Sequence, residues 1–166
     1  EDCIYTPIEM AKAIVEKISP QGIILEPCMG DGGFTDVFDE KGFAYEWCEI
    51  NKGIDYFKKE TTNAEWVITN PPFSKVTKFI QKSIELQVPN IALLVTINTI
   101  WMNGKLNFLK ENGYRLEEIY LIESLYFRRM GEWRQSGFSL GVIVIKKNKT
   151  DNFPIIENLK IGEICW

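Results

Sequence analysis

Short apolar runs alternate with amphipathic stretches along most of this chain, and that alternation constrains the fold more than any other feature. "GIILEP", "FAYEWCEI", "AEWVITN" and "NIALLVTI" read as buried strands. Between them, "TPIEMAKAIVEKI" places Ile8, Ala11, Ile14, Val15 and Ile18 at helical spacing, with Thr6 as a cap and Pro7 in the first turn. "GGFTDVFDEKG" reads as a short helix closed by Gly42. "SKVTKFIQKSIELQ" reads as a helix with Val76, Phe79, Ile80, Ile84 and Leu86 inward and Lys75, Lys78 and Lys82 outward. "MNGKLNFLKENG" is a further helix closed by Gly113. Strands alternating with helices predict an α/β fold, a mainly parallel sheet with helices on both faces. "YRLEEIYLIES" and "SLGVIVIKK" have only a loop between them, which predicts an antiparallel last strand.

At 166 residues the chain suits a single domain, and no linker or low-complexity run divides it. No apolar run reaches the roughly 18 residues of a membrane span, so no membrane partner is expected. Cys3, Cys28, Cys48 and Cys165 are scattered without a C-x-x-C pair, which argues against a zinc site or disulfide framework and favours a reduced, cytoplasmic setting. Histidine is absent, removing histidine triads and imidazole metal ligands; no metal is expected. Residues 1–73 carry 14 acids and 6 bases, whereas residues 74–166 carry 9 acids and 13 bases. That division suits a cationic ligand in the first half and an anionic one in the second.

In an open parallel sheet, ligands bind beyond the carboxyl ends of the strands. Three ends here carry unusual chemistry. In "LEPCMGDGGF", Gly30, Gly32 and Gly33 let the backbone turn sharply and approach a ligand, while Glu26 offers a carboxylate to a cation. Glu49 closes "WCEI", where an acid can accept from ribose hydroxyls. Asp55, with Tyr56 beside it, can accept from an adenine amino group. The strand "WVIT" then runs into Asn70-Pro71-Pro72-Phe73, and proline cannot continue a ladder, so the strand must stop at Thr69 or Asn70. The prolines stiffen this corner and fix the carbonyls of Asn70 and Pro71; the Asn70 side chain adds an oxygen, and Phe73 a flat wall. Acceptors aimed at one point suit an amino group on a planar ring. Holding its hydrogens favours a more tetrahedral nitrogen and stabilises the charge that grows as it attacks.

The order Tyr5-Thr6-Pro7, Leu25 to Phe34, Glu49, Asp55 and Asn70 to Phe73 resembles the S-adenosylmethionine-dependent amino-methyltransferases, and most of all the N6-adenine DNA methyltransferases with this motif order, the gamma arrangement. The resemblance covers residues 4–74, with strand order alone beyond. It implies a Rossmann-like sheet of seven strands in the order 3-2-1-4-5-7-6, with the third strand short of room in "NKGIDYF". It implies S-adenosylmethionine as cofactor: Tyr5, Thr6 and Pro7 flanking its methionine end, Glu26, Pro27, Cys28 and the Gly30 to Gly33 turn cradling its amino-acid part. Glu49 and Ile50 would hold the ribose, Asp55 and Tyr56 the adenine. Asn70 and Pro71 would hold the target amine, Pro72 would stiffen the corner, and Phe73 would stack on the target ring.

Such enzymes normally carry a target-recognition domain, for which the sequence shows no room; a homodimer or partner subunit is expected to supply it, as in minimal phage-type catalytic domains. The loop Ser124 to Phe138 interleaves Arg128, Arg129 and Arg134 with Tyr126, Phe127 and Trp133, a composition suited to phosphate contact and base stacking. The expected activity is therefore methylation of adenine N6, in DNA before RNA. Two alternatives stay open: N-methylation of RNA (adenine N6 or guanine N2) or of a protein glutamine, and a non-catalytic subunit that binds cofactor or nucleic acid.

Overall fold

The structure is a computed structural model that describes residues 5–99, 104–122, 126–129, 132–135, 140–147 and 154–161. A helix, α1 (Ile8–Ile18), precedes β1 (Ile24–Glu26), α2 (Gly33–Lys41) and β2 (Tyr45–Trp47). Then follow β3 (Trp66–Thr69), α3 (Val76–Glu85), β4 (Asn90–Thr96), α4 (Lys105–Glu111) and β5 (Tyr114–Ile122). A ribbon of β6 (Tyr126–Arg129) and β7 (Glu132–Gln135) leads to β8 (Leu140–Lys147) and β9 (Ile155–Leu159). Seven strands form one sheet in the order β2-β1-β3-β4-β8-β5-β9, and all neighbours run parallel except β8, which is antiparallel to β4 and β5.

The pleat sorts the strand residues to two cores. On β4, Ala92 and Leu94 face one side while Ile91, Leu93 and Val95 face the other. The first side is covered by Met10, Ala11, Ile14 and Val15 of α1 with Phe34, Val37 and Phe38 of α2. The second is covered by Val76, Phe79 and Ile80 of α3 with Leu109 of α4. Helices on both faces and an antiparallel β8 are as expected, and β3 stops at Thr69, where the prolines require it.

Three details depart from expectation. The strand expected beyond β2 is absent among the described residues: Glu49 to Lys58 form two single-turn 3-10 helices (Ile50–Lys52 and Tyr56–Lys58), with one bridge from Glu49 to Ile54. The seventh strand is instead β9 at the opposite edge, parallel to β5 and tied to α1 by a Lys17–Glu157 ion pair. Lys82, expected outward, is buried at 8% exposed, its ammonium paired with Glu85 at 2.8 Å.

β8 lies between β4 and β5, and at Gly141 the surrounding chain comes close. A Cβ there would lie 2.8 Å from the Tyr120 carbonyl oxygen and 2.2 Å from Ile97 Cδ1. Gly141→Ala is therefore expected to lose about 1–3 kcal/mol through overpacking, seen as a lower urea midpoint at unchanged slope; an unshifted midpoint would show that the β4-β8-β5 centre is looser than its geometry.

Candidate active site

The direction of chain connection reverses at β1: β2 lies on one side of it and β3 on the other. The loops leaving these three strands diverge there, as they must at a switch in strand order. Between them lies a cleft of about 300 Å³.

The first wall is the turn after β1. Met29 N–H donates to the Cys48 carbonyl (3.0 Å) and Gly32 N–H to the Met29 carbonyl (3.0 Å), folding the turn against β2. Gly30 takes φ +58° and Gly32 φ +107°, conformations that side chains disfavour. At Gly33 the constraint is space: a Cβ would sit 2.3 Å from the Thr6 carbonyl oxygen, so glycine lets the Tyr5–Pro7 segment cross the start of α2. Tyr5 and Thr6 thereby become the second wall, with the Tyr5 ring next to Gly30.

The third wall follows β2. Glu49 is 6% exposed, and its two oxygens are used in opposite directions. Oε2 accepts from Gly30 N–H (2.8 Å) and Oε1 from Asn51 N–H (3.0 Å). One carboxyl group thus holds the glycine turn and caps the 3-10 turn that presents Ile50, Asn51 and Lys52 to the cleft. Lys52 also lies over the Trp47 ring, 5.3 Å from its centre.

The fourth wall is the corner after β3, where Asn70, Pro72 and Lys75 face the cleft. Asn70 Nδ2 donates to Thr6 Oγ1 (3.1 Å). Thr6 therefore does not cap α1, whose N-cap position is Pro7; its hydroxyl joins the N-terminal segment to the proline corner. With Nδ2 turned to Thr6, the far end of the Asn70 amide is its acceptor, Oδ1.

Of the residues singled out in the sequence, Tyr5, Thr6, Cys28, Gly30, Gly33, Glu49, Ile50, Asn70 and Pro72 line this cleft. Pro7, Pro27, Gly32 and Pro71 lie behind its surface and shape the backbone. Phe73 is half-buried against the α1/α2 core and is not part of the lining. Asp55 and Tyr56 are elsewhere. The Asp55 carboxyl caps its own turn by accepting from Phe57 N–H (2.9 Å). Tyr56 is 3% exposed, stacked on Phe79 and hydrogen-bonded to Ser83 Oγ at 2.8 Å. A tyrosine hydroxyl needs a buried partner and finds one in α3, which draws this side chain into the core. Asn51, Lys52 and Lys75 line the cleft without having been singled out for it; they come two or three residues after Glu49 and Phe73, in the turns that Glu49 and Pro72 begin. Arg128, Arg129, Trp133 and Arg134 belong to the β6–β7 ribbon, with Arg128 paired to Trp133 and Phe127 to Arg134; their side chains lie outside the described residues. β5 runs parallel to β4 in the sheet, so the ribbon leaves Ile122 and returns at Leu140 on the same sheet end as the cleft. Ser124, Met130 and Gly131 lie outside the described residues, as do Cys3 and Cys165.

Glu26 is 1% exposed and forms the floor beneath the first wall instead of lining the cleft. Its Oε1 accepts from Cys28 N–H at 2.9 Å. Its carboxyl is raised to about 8, chiefly by burial, against the pull of the Thr69 hydroxyl and Cys28 N–H and with a smaller push from the Glu49 charge.

The fold is the Rossmann-like fold of methyltransferases. Among solved structures, the chain is similar to a putative RNA methyltransferase from Pyrococcus horikoshii (TM-score 0.60, 11% identity, 82% of this chain and 81% of that one). It is similar to a modification subunit of a putative type I restriction enzyme from Vibrio vulnificus (TM-score 0.63, 14% identity), of which it spans about half, 48%, with 97% of its own length. A third similar structure is an S-adenosylmethionine-dependent O-methyltransferase from Thermotoga maritima (TM-score 0.55, 13% identity, 90% of this chain and 68% of that one). No protein-family model and no curated protein sequence matches the chain.

The buried acid has a measurable consequence. The folded state keeps a proton on Glu26 up to about pH 8, whereas the unfolded chain releases it near the ordinary 4.5. The folded state binds more protons in between, so its stability falls as pH rises across that window. The thermal midpoint of the wild type is expected to drop more between pH 5 and pH 8 than that of Glu26→Gln, and parallel curves would refute a neutral buried acid.

Proposed function

We propose that this protein is an S-adenosylmethionine-dependent N-methyltransferase whose target is N6 of adenine in DNA. The observation that carries the reading is convergence: Asn70 and Pro72 of the proline corner face the same cleft as the glycine turn and Glu49. The cleft fits the cofactor on three counts. Its size lies in the range of small-ligand sites, roughly 300–1,000 Å³. Gly33 and Gly30 let the Tyr5–Thr6 segment close against the glycine turn, so that both can face one ligand. Its walls offer a buried carboxyl in Glu49 and, in Ile50 at 67% exposed, an apolar surface for a planar ring to cover.

When bound, S-adenosylmethionine supplies a methyl group made electrophilic by a sulfonium. The first wall would receive the amino-acid part, with Tyr5 and Thr6 over it. Glu49 would accept from the ribose hydroxyls with the lone pairs its two backbone bonds leave. Ile50 and Asn51 would meet the adenine, a place the sequence had assigned to Asp55 and Tyr56. At the far wall Asn70 would accept a hydrogen from the target amino group through Oδ1, turning the nitrogen lone pair into the cleft. The bond to Thr6 fixes which end of the Asn70 amide does so. The amino proton needs no histidine to leave, since it becomes acidic once nitrogen carries the fourth bond.

A base inside a duplex must be extruded to reach such a cleft. The basic and aromatic β6–β7 ribbon, joined to the sheet at the cleft end, is the candidate contact to the strand around it. Lys75 in the lining adds a cation at the same mouth.

Tritiated S-adenosylmethionine offered with unmethylated duplex DNA, bulk RNA and a protein lysate tests the reading. Label is expected in N6-methyladenine from DNA. Label in RNA or in glutamine would move the substrate and keep the reaction, whereas cofactor binding without transfer to any of the three would make this a binding subunit. Asn70→Ala is expected to slow transfer by about 10²–10³-fold, the loss typical of one placed hydrogen-bond group at a reacting centre, a larger effect than the loss of cofactor affinity that follows from releasing Thr6. Glu49→Ala is expected to do the reverse and weaken cofactor binding first, as read by calorimetry.

A further inference from the structure

Glu26 lies one layer below the cleft, and its surroundings suit a neutral acid better than an anion. It is 1% exposed and makes no ion pair with the described residues. From its own turn it receives one backbone N–H, that of Cys28. From β3 the Thr69 hydroxyl acts on the carboxyl, and Thr69 Oγ1, itself 0% exposed, has no hydrogen-bond partner among the described residues. The titratable groups facing it come from the loop after β2: the Glu49 carboxyl and the Cys48 thiol. An isolated buried carboxylate costs several kcal/mol unless paired, and a second carboxyl beside it raises that cost. Burial alone pushes Glu26 in the same direction.

Its neighbours, however, are the cleft wall. Cys28 and Glu49 line the cleft, and Thr69 is followed directly by Asn70, which also lines it. A positive charge placed in the cleft therefore stands one layer from Glu26, across a medium that screens poorly.

We infer that Glu26 is a positioning residue that reads the charge of the bound ligand, staying protonated in the free protein and releasing its proton when a cation fills the cleft. The proton passes to bulk buffer, and no other bond forms or breaks. The carboxylate so formed is an acceptor that draws the idle Thr69 hydroxyl into a hydrogen bond, which fixes the residue before Asn70. The inference rests on the cofactor reading, because the cation in question is the sulfonium. S-adenosylhomocysteine, the product of transfer, has a neutral sulfur in the same place and gives Glu26 less reason to stay ionised. Substrate would thus tighten the proline corner and product would relax it.

Calorimetry in pairs of buffers with different ionisation heats, from pH 6 to pH 9, counts the protons released. Binding of S-adenosylmethionine to the whole chain is expected to release up to about one proton below pH 8, with affinity rising by at most about tenfold per pH unit. S-adenosylhomocysteine, which shares the same amino-acid end, is expected to release fewer. Glu26→Gln should abolish the difference, and Thr69→Val, which removes the hydroxyl and keeps the shape, should reduce it. Carbon-13 titration of the carboxyl groups in the free wild type should show one glutamate protonated well above the others, a readout that needs neither ligand nor variant. Equal proton release by the two ligands, or a difference that survives in Glu26→Gln, overturns the inference and leaves the cofactor reading standing. Absence of binding by either ligand overturns both.

Discussion

The site depends on one buried carboxyl group. Glu49 holds Gly30 with one oxygen and Asn51 with the other, so its side chain ties the walls after β1 and β2 together beyond the Met29–Cys48 backbone bond. The bonds are charge-assisted and 2.8 and 3.0 Å long, in a group only 6% exposed, and truncating it would leave two inward N–H donors without partners. Everything else on that side follows: the conformation of the glycine turn, the approach of Tyr5 to Gly30, and the outward presentation of Ile50. A second tie, Asn70 to Thr6, joins the opposite walls. These two polar contacts span sequence distances of 19 and 64 residues, and the cleft they hold is assembled from segments within residues 5–75.

How far the fold was legible depended on how much of each element's information is local. The strand β4 and helix α3 were readable because apolar residues recur at periods that only one face can satisfy. The end of β3 was readable because two prolines forbid continuation. β9 was not, since Ile155 and Ile156 remain exposed at 57% and 55% and only Leu159 enters the core. What recruits that strand is an open edge of β5 and a lysine on α1, both remote in sequence.

The same distinction sorts the site. Gly30, Glu49 and Asn70 announce themselves by chemistry at strand ends, and the structure brings them together. Tyr56 does not follow its neighbours, because the deciding contact is Ser83 on α3, invisible from the residues around it. Lys82 misleads for a related reason: a charged letter in a helical pattern says nothing of where its four methylenes lie. Glu26 was legible as unusual and misplaced by one layer. A carboxyl before a proline at a strand end can point into a cleft or beneath it, and the N–H of Cys28 two residues on turns it beneath.

That no strand lies beyond β2 among the described residues has a consequence for the cleft's thermodynamics. β2 is only three residues long and forms one margin of the sheet, so the wall that follows it is stabilised by turns and a cap in place of a ladder on its outer side. Segments with few backbone pairings open at low free energy, independently of global unfolding. A ligand lying against Ile50 and Glu49 would therefore be coupled to the ordering of this margin, standing in part for the pairing that β2 lacks on its outer side.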